Sequence, residues 1–174
     1  TCVIGGAINQ YLVGYLSDKY DRRTIIVIVA FLASIFAVLA VLIGGSFIAL
    51  IIITFIFGGL TVPLYSLAIA HTNDFLEKDE MVAASAGIQL AGGVGLTIGP
   101  IIGGLSLDLI GASGFWIFLF LIHALRGVFG LFRMQIREAV PLEEQGSTVL
   151  VSSRTTATLM ELYPDAEESI DPVE

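Results

Sequence analysis

Two long stretches of this chain carry no charge at all: Thr24 to Ile43, 20 residues, and Phe47 to Ala70, 24 residues. A helix rises about 1.5 Å per residue, and about 20 apolar residues suffice to cross a bilayer core of about 30 Å. Within hydrocarbon the backbone has no water to bond, which leaves helices or closed barrels as spanning structures. Apolar runs this long, without alternation, are helical rather than stranded. Composition agrees. The 174 residues are 56% hydrophobic and 14% charged, with a mean hydropathy of +0.91. That is too little polar residue to cover a water-soluble domain of this size. The chain reads as an all-α membrane protein.

Three further apolar segments flank these two. The expected spans are about 3–17, 24–43, 47–70, 81–110 and 115–134, a transmembrane bundle over residues 1–137. The formal charge of −8 misleads if spread evenly. Up to residue 137, seven basic residues balance seven acids. From 138 to 174, nine acids face Arg154 alone. The tail has too little periodic apolar content for another span and is expected to be a disordered, acidic, cytoplasmic segment. No cluster of positive charge suits nucleic acid, so no such partner is expected. Cys2 is the one cysteine and has no internal partner. The chain opens on Thr1, without a basic leader, and is apolar from Val3, which reads as a piece of a longer chain.

The connections alternate in charge. Lys19, Arg22 and Arg23 lie between spans one and two, Lys78 between three and four, and Arg133 and Arg137 after span five. Gly44-Gly45-Ser46 and Gly111–Gly114 hold no basic residue. The positive-inside rule puts the first set in the cytoplasm, so the first span runs inward and the C-terminus is cytoplasmic. Arg126 lies inside span five and can reach toward that side.

The stretch GYLSDKYDRR, Gly14 to Arg23, joins the first two spans. Orienting the chain needs only its positive charge. Gly14 and the two acids, Asp18 and Asp21, need another reason. Gly14 permits close approach of a neighbouring helix. Asp18 can face the positive N-terminal end of the fourth span. Arg22 and Arg23 can pair with Asp79 or Glu80 where that span begins. Exposed pairs are worth about 0–1 kcal/mol each, so the cluster suits a latch that opens and closes. Gly14, Asp18, Lys19, Asp21, Arg22, Arg23, Asp79 and Glu80 are the expected gating residues.

The fourth span reads GIQLAGGVGLTIGPIIGG from Gly87. Glycine costs about 1 kcal/mol against alanine in a helix, so this density needs a use. Gly95, Gly99 and Gly103 recur every fourth residue, beside Gly104, and Pro100 can bend the helix. The expectation is close helix packing. Polar residues inside spans are candidates to line a solute cavity: Asn9, Gln10, Tyr65, Ser66 and Gln89. The competing reading of each is a hydrogen bond between helices, about 0.6 kcal/mol on average. The second span carries only Ser34 as a polar residue and reads as a lipid-facing support. His71, beside Asn73 and Asp74, reads as a loop or gate contact. His123 and Arg126 lie three apart on one helix face and read as structural.

Gly14, Leu16, Ser17, Asp18, Lys19, Asp21, Arg22 and Arg23 resemble the loop motif of the major facilitator superfamily, G-x-L-[SA]-D-[RK]-x-[GD]-R-[RK]. Pro63 to Gly87, the GPIIGG run and PLEEQ in the tail are similar to the C-terminal half of bacterial transporters in its YcaD-like branch. The resemblance covers about residues 5–145. It implies five helices of a six-helix half bundle, numbered eight to twelve of twelve. The first seven helices would then precede these, six of the seven being the missing N-terminal half of the same chain. It implies a bacterial inner membrane, a midplane cavity for a small solute, and secondary active transport by alternating access. Ala86, Gly95, Gly99, Pro100, Gly103 and Gly104 also resemble the antiporter motif of drug-efflux members, with Ala in place of the first Gly. That points to proton-coupled efflux, with the proton as a second partner. No cofactor, metal or catalytic residue is implied, and the chain is not read as an enzyme.

Two rivals stand beside this reading. One is a non-transporting scaffold or channel-like bundle. The other is an intramembrane serine protease, because Gly111-Ala112-Ser113-Gly114 resembles the nucleophile turn of rhomboids. That chemistry needs Ser and His within hydrogen-bond reach. His123 is ten residues along the helix from Ser113, about 15 Å, and His71 belongs to the other membrane face.

Overall fold

The structure, a computed structural model, describes residues 1–76, 80–136 and 141. The described residues are helical, with no strand among them. The helices are α1 (Cys2–Lys19), α2 (Arg22–Leu42), α3 (Phe47–Thr61), α4 (Pro63–Asn73), α5 (Met81–Ile110) and α6 (Ala112–Ile136). Among the described residues, four segments are long and apolar enough to cross a membrane: α2, α3 with α4 (Phe47–Asn73), α5 and α6. Helix α1 has 18 residues, about 27 Å, and runs parallel to α3. Lys78, Asp79, Arg137 and all of the acidic tail at 138–174 except Pro141 lie outside the described residues.

Local chemistry sets the helix ends. Asp21 caps α2, its side chain accepting from the Arg23 amide at 3.1 Å. That cap lets α2 begin at Arg22, two residues earlier than the apolar run predicts, while α1 continues to Lys19. The charged stretch expected as a loop is therefore mostly two helix ends joined by Tyr20 and Asp21. Ser46 caps α3 by accepting from the Ala49 amide at 3.4 Å. Pro63 has no amide hydrogen to donate, and it is where the third span divides into α3 and α4. Val62 keeps helical angles (φ −61°, ψ −44°), so the two pieces follow one path. Helix α5 runs unbroken through Pro100 and ends at Gly111, whose φ of +78° is costly for any side chain.

Small residues sit where the helices meet. Ala30, Ala33, Ala37 and Ala40 are buried along one face of α2, which packs on both α3 and α6. The second span is thus central rather than a lipid-facing support. A stripe of methyl groups looks featureless in sequence, yet it is what lets two neighbours approach. A Cβ on Gly127 would meet the Phe31 ring at 2.9 Å, and one on Gly130 would meet Val27 at 2.6 Å. Where α1 crosses α3 the backbones touch. A Cβ on Gly5 would collide with the Phe55 carbonyl oxygen, and one on Gly58 with that of Cys2.

The glycines of α5 behave differently from expectation. Gly103 alone of the expected packing residues is buried, 3.3 Å (from its would-be Cβ) from Phe115. Around Gly95, Gly99 and Gly104 a Cβ would meet nothing within 4 Å. Within this bundle α5 packs on α6 and, more lightly, on α4. Apart from Gly103, its glycine stripe therefore makes no close helix contact inside the described chain. Apolar side chains along the outer faces, such as Ile8, Leu90, Leu96 and Leu125, are exposed. That suits a surface bathed in lipid, where no water opposes their exposure.

Candidate functional site

The charged stretch converges at one end of the bundle. Arg22 opens α2 and its side chain is only 1% exposed. Its Nη1 donates to Asp74 Oδ1 at 2.7 Å and to Oδ2 at 2.6 Å. Asp74 follows α4 directly and is 3% exposed. An acid there sits at the negative end of its own helix, which is unfavourable without a cation. The Arg22 guanidinium supplies that cation. Arg22 Nη2 also lies 3.5 Å from Asp18 Oδ1, one turn back across the α1–α2 connection. One guanidinium thus ties together the ends of α1, α2 and α4.

The other motif residues support this cluster. Ser17 is buried and donates to the Gly14 carbonyl at 2.8 Å, and Gly14 is buried beside it. Asp21, besides capping α2, accepts from Arg23 Nε at 3.3 Å and from Nη2 at 3.2 Å. Lys19 is exposed and stands 4.5 Å from the Tyr15 ring centroid. Glu80 is exposed just before α5, and Asp79 lies outside the described residues. The buried partner of Arg22 is therefore Asp74, which residue order places only beside His71. The separation of 52 positions along the chain hides the pairing. The signal available was an acid closing the third span on the same membrane face.

Of the cavity candidates, Gln10 and Ser66 come together. Gln10 Nε2 donates to Ser66 Oγ at 3.4 Å, joining α1 to α4. Asn9 Nδ2 donates to the Gly5 carbonyl at 3.1 Å and lies against Gly59 of α3. Tyr65 is half-buried on α4, next to Ser66, and Gln89 is half-buried on α5. Gln10→Leu is expected to cost only about 0.6 kcal/mol, the average for such a bond between membrane helices. Reversible unfolding in mixed micelles would read it, and a loss above 2 kcal/mol would show a larger structural role.

Arg126 does not snorkel to the surface. Its Nη2 donates to the Leu64 carbonyl at 3.4 Å, in the first turn of α4 just past the Pro63 break. Arg126→Met, which keeps most of the volume, should cost about 1–2 kcal/mol in the same unfolding measurement. His123 packs edge-on against Phe57, ring centroids 5.3 Å apart, and Phe57 packs likewise on Trp116 at 5.6 Å. Ser113 is exposed while His123 is buried against α3, an arrangement unlike a nucleophile and its base.

The bundle has spanning helices, an arginine-centred cluster built from GYLSDKYDRR, and polar side chains along the α1–α4 seam. No curated protein and no solved structure matches the chain significantly. The family model of the Major Facilitator Superfamily matches residues 1–160. Motif, architecture and match agree: the chain belongs to the major facilitator superfamily, whose members carry small solutes across membranes.

Proposed function

We propose that this chain acts as the C-terminal half of a twelve-helix secondary transporter of the YcaD-like branch, working by alternating access. It sits in a bacterial inner membrane with its C-terminus in the cytoplasm, as the placement of Lys and Arg supports. The N-terminal half of the same polypeptide completes the cavity. The substrate is a small solute reached from Asn9, Gln10, Tyr65, Ser66 and Gln89. Export in exchange for protons is the direction that the α5 pattern from Ala86 to Gly104 favours.

The observation that carries the reading is the Asp18–Arg22–Asp74 cluster at the ends of three helices. In this proposal Arg22 holds α1, α2 and α4 as one rigid body. Asp18, 38% exposed, is the member still accessible to a partner helix. Gly14, Lys19, Asp21 and Arg23 shape the same end, and Asp79 and Glu80 belong to the opposing start of α5. The open glycine face of α5, with Gly95, Gly99, Pro100 and Gly104, is the surface on which the other half rocks.

The test is solute flux by the full-length protein in proteoliposomes, screened over a panel of small solutes with and without a proton gradient. Asp18→Asn should slow transport about tenfold or more while leaving protein level unchanged and unfolding stability within about 1 kcal/mol, because Asp18 is itself 38% exposed and Arg22 keeps Asp74. Flux that is indifferent to Asp18→Asn would remove the gate. A reconstituted protein that moves no solute at all would favour the scaffold reading.

A further inference from the structure

At the basic end of the bundle a pocket of about 340 Å³ lies between α2, α4 and α6. Arg23, His71, Thr72, Phe75, Leu76 and Arg133 line it. Two guanidiniums and an imidazole share it, and none of the described lining residues is an acid. Of the described carboxylates, Asp21 pairs with Arg23 itself at 3.2 Å and Asp74 with Arg22, which leaves Arg133 as the lining guanidinium with no ion pair among the described residues. Arg23 also stands in the first turn of α2, where the helix dipole is already positive. Asp21 accepts from both the Arg23 amide and its guanidinium, so the positive charge left to the cleft comes chiefly from Arg133. An anion is the ligand class that relieves this.

The rest of the wall narrows the class. Phe75 and Leu76 are apolar, and Phe75 packs edge-on against His71 at 5.2 Å between centroids. A free inorganic ion has no use for an apolar wall. A phosphate joined to glycerol and the start of acyl chains does. The pocket lies at the ends of three membrane helices, the depth at which phospholipid headgroups lie. Its volume falls within the usual range for small-ligand sites, about 300–1,000 Å³. Basic pockets between membrane helices on the cytoplasmic side are a recurring way to hold anionic headgroups.

We propose that this pocket binds the phosphate of an anionic phospholipid headgroup, with Arg133 and Arg23 engaging the phosphate, His71 beside them, and Phe75 and Leu76 against the glycerol. The site would clamp α6 to the ends of α2 and α4 from the lipid side. It does not depend on the transport proposal, since a scaffold in the same membrane would hold the lipid equally.

The experiment is lipid retention by the full-length protein, released from detergent in a mass spectrometer after incubation with phosphatidylglycerol or phosphatidylcholine. Phosphatidylglycerol should be retained at least about fivefold better, the effect of roughly one basic residue at a membrane surface. Arg133→Gln should abolish that preference and Arg133→Lys should keep most of it. Should Arg133→Gln fail to accumulate, His71→Gln reports on the same pocket and should weaken retention. Equal retention of the two lipids, or a preference unchanged in Arg133→Gln, would overturn the proposal. Full displacement of phosphatidylglycerol by millimolar inorganic phosphate would reassign the pocket to a soluble anion and overturn the lipid assignment.

Discussion

Arg22→Ala is expected to destabilise the bundle by about 3–5 kcal/mol, the usual cost of removing one partner from a buried ion pair. The reason lies in what remains. Asp74, 97% covered with Arg22 in place, would be left at the negative end of α4 without the guanidinium now 2.6 Å away. The half-buried Asp21–Arg23 pair in the same motif should behave differently. Asp21→Ala removes a cap rather than a buried charge and should cost about 1 kcal/mol. Denaturant or thermal unfolding of the purified protein checks both values. Asp74→Asn should be milder than Arg22→Ala, since an amide can still accept from the guanidinium. The exchange Arg22→Asp with Asp74→Arg should recover part of the loss. A cost below 1 kcal/mol for Arg22→Ala would mean that water or another acid reaches the site, and the three-helix tie would fall.

Gly58→Leu is expected to have the second large effect, about 3 kcal/mol, at the upper end for overpacking a close-packed contact. A side chain there meets the backbone of Cys2, which cannot rotate away as a flexible side chain can. The helices α1 and α3 must then separate, taking with them the Gln10–Ser66 bond at 3.4 Å further along the same seam. Gly95→Leu is the matched control. It sits on the fourth-span stripe that looks more like a packing motif, yet nothing lies within 4 Å of its Cβ position. In the isolated bundle it should change stability by less than about 0.5 kcal/mol. If Gly95→Leu proved the more costly of the two, the α1–α3 crossing described above would be wrong. If Gly95→Leu spared stability but stopped transport in the full-length protein, the open face would have its use as the sliding surface.

Much of this protein is legible from residue order alone, and the reason is physical. Lipid forbids an unsatisfied backbone, so uncharged runs such as Thr24 to Ile43 admit only helices. The sidedness of Lys19, Arg22, Arg23 and Arg133 orders those helices up and down. GYLSDKYDRR carries enough defined positions to name the family before any contact is seen. Helix ends were close to expectation but not equal to it. Asp21 begins α2 early because its side chain finds the Arg23 amide, a local bond that hydropathy does not register.

Pairing belongs to another level. Nothing in residue order distinguishes Gly58, against which a backbone is pressed, from Gly95, which faces open space, because a glycine permits contact without requiring it. Nothing in the alanines of α2 announces that they, and not the glycines of α5, form the centre of the bundle. Asp74 becomes the partner of Arg22 only when the third span returns its end to the start of the second. Composition and periodicity set which segments become helices and which way they point. Which faces meet, and so which arginine is buried and which pocket stays positive, is decided by the packing of the six described helices at once.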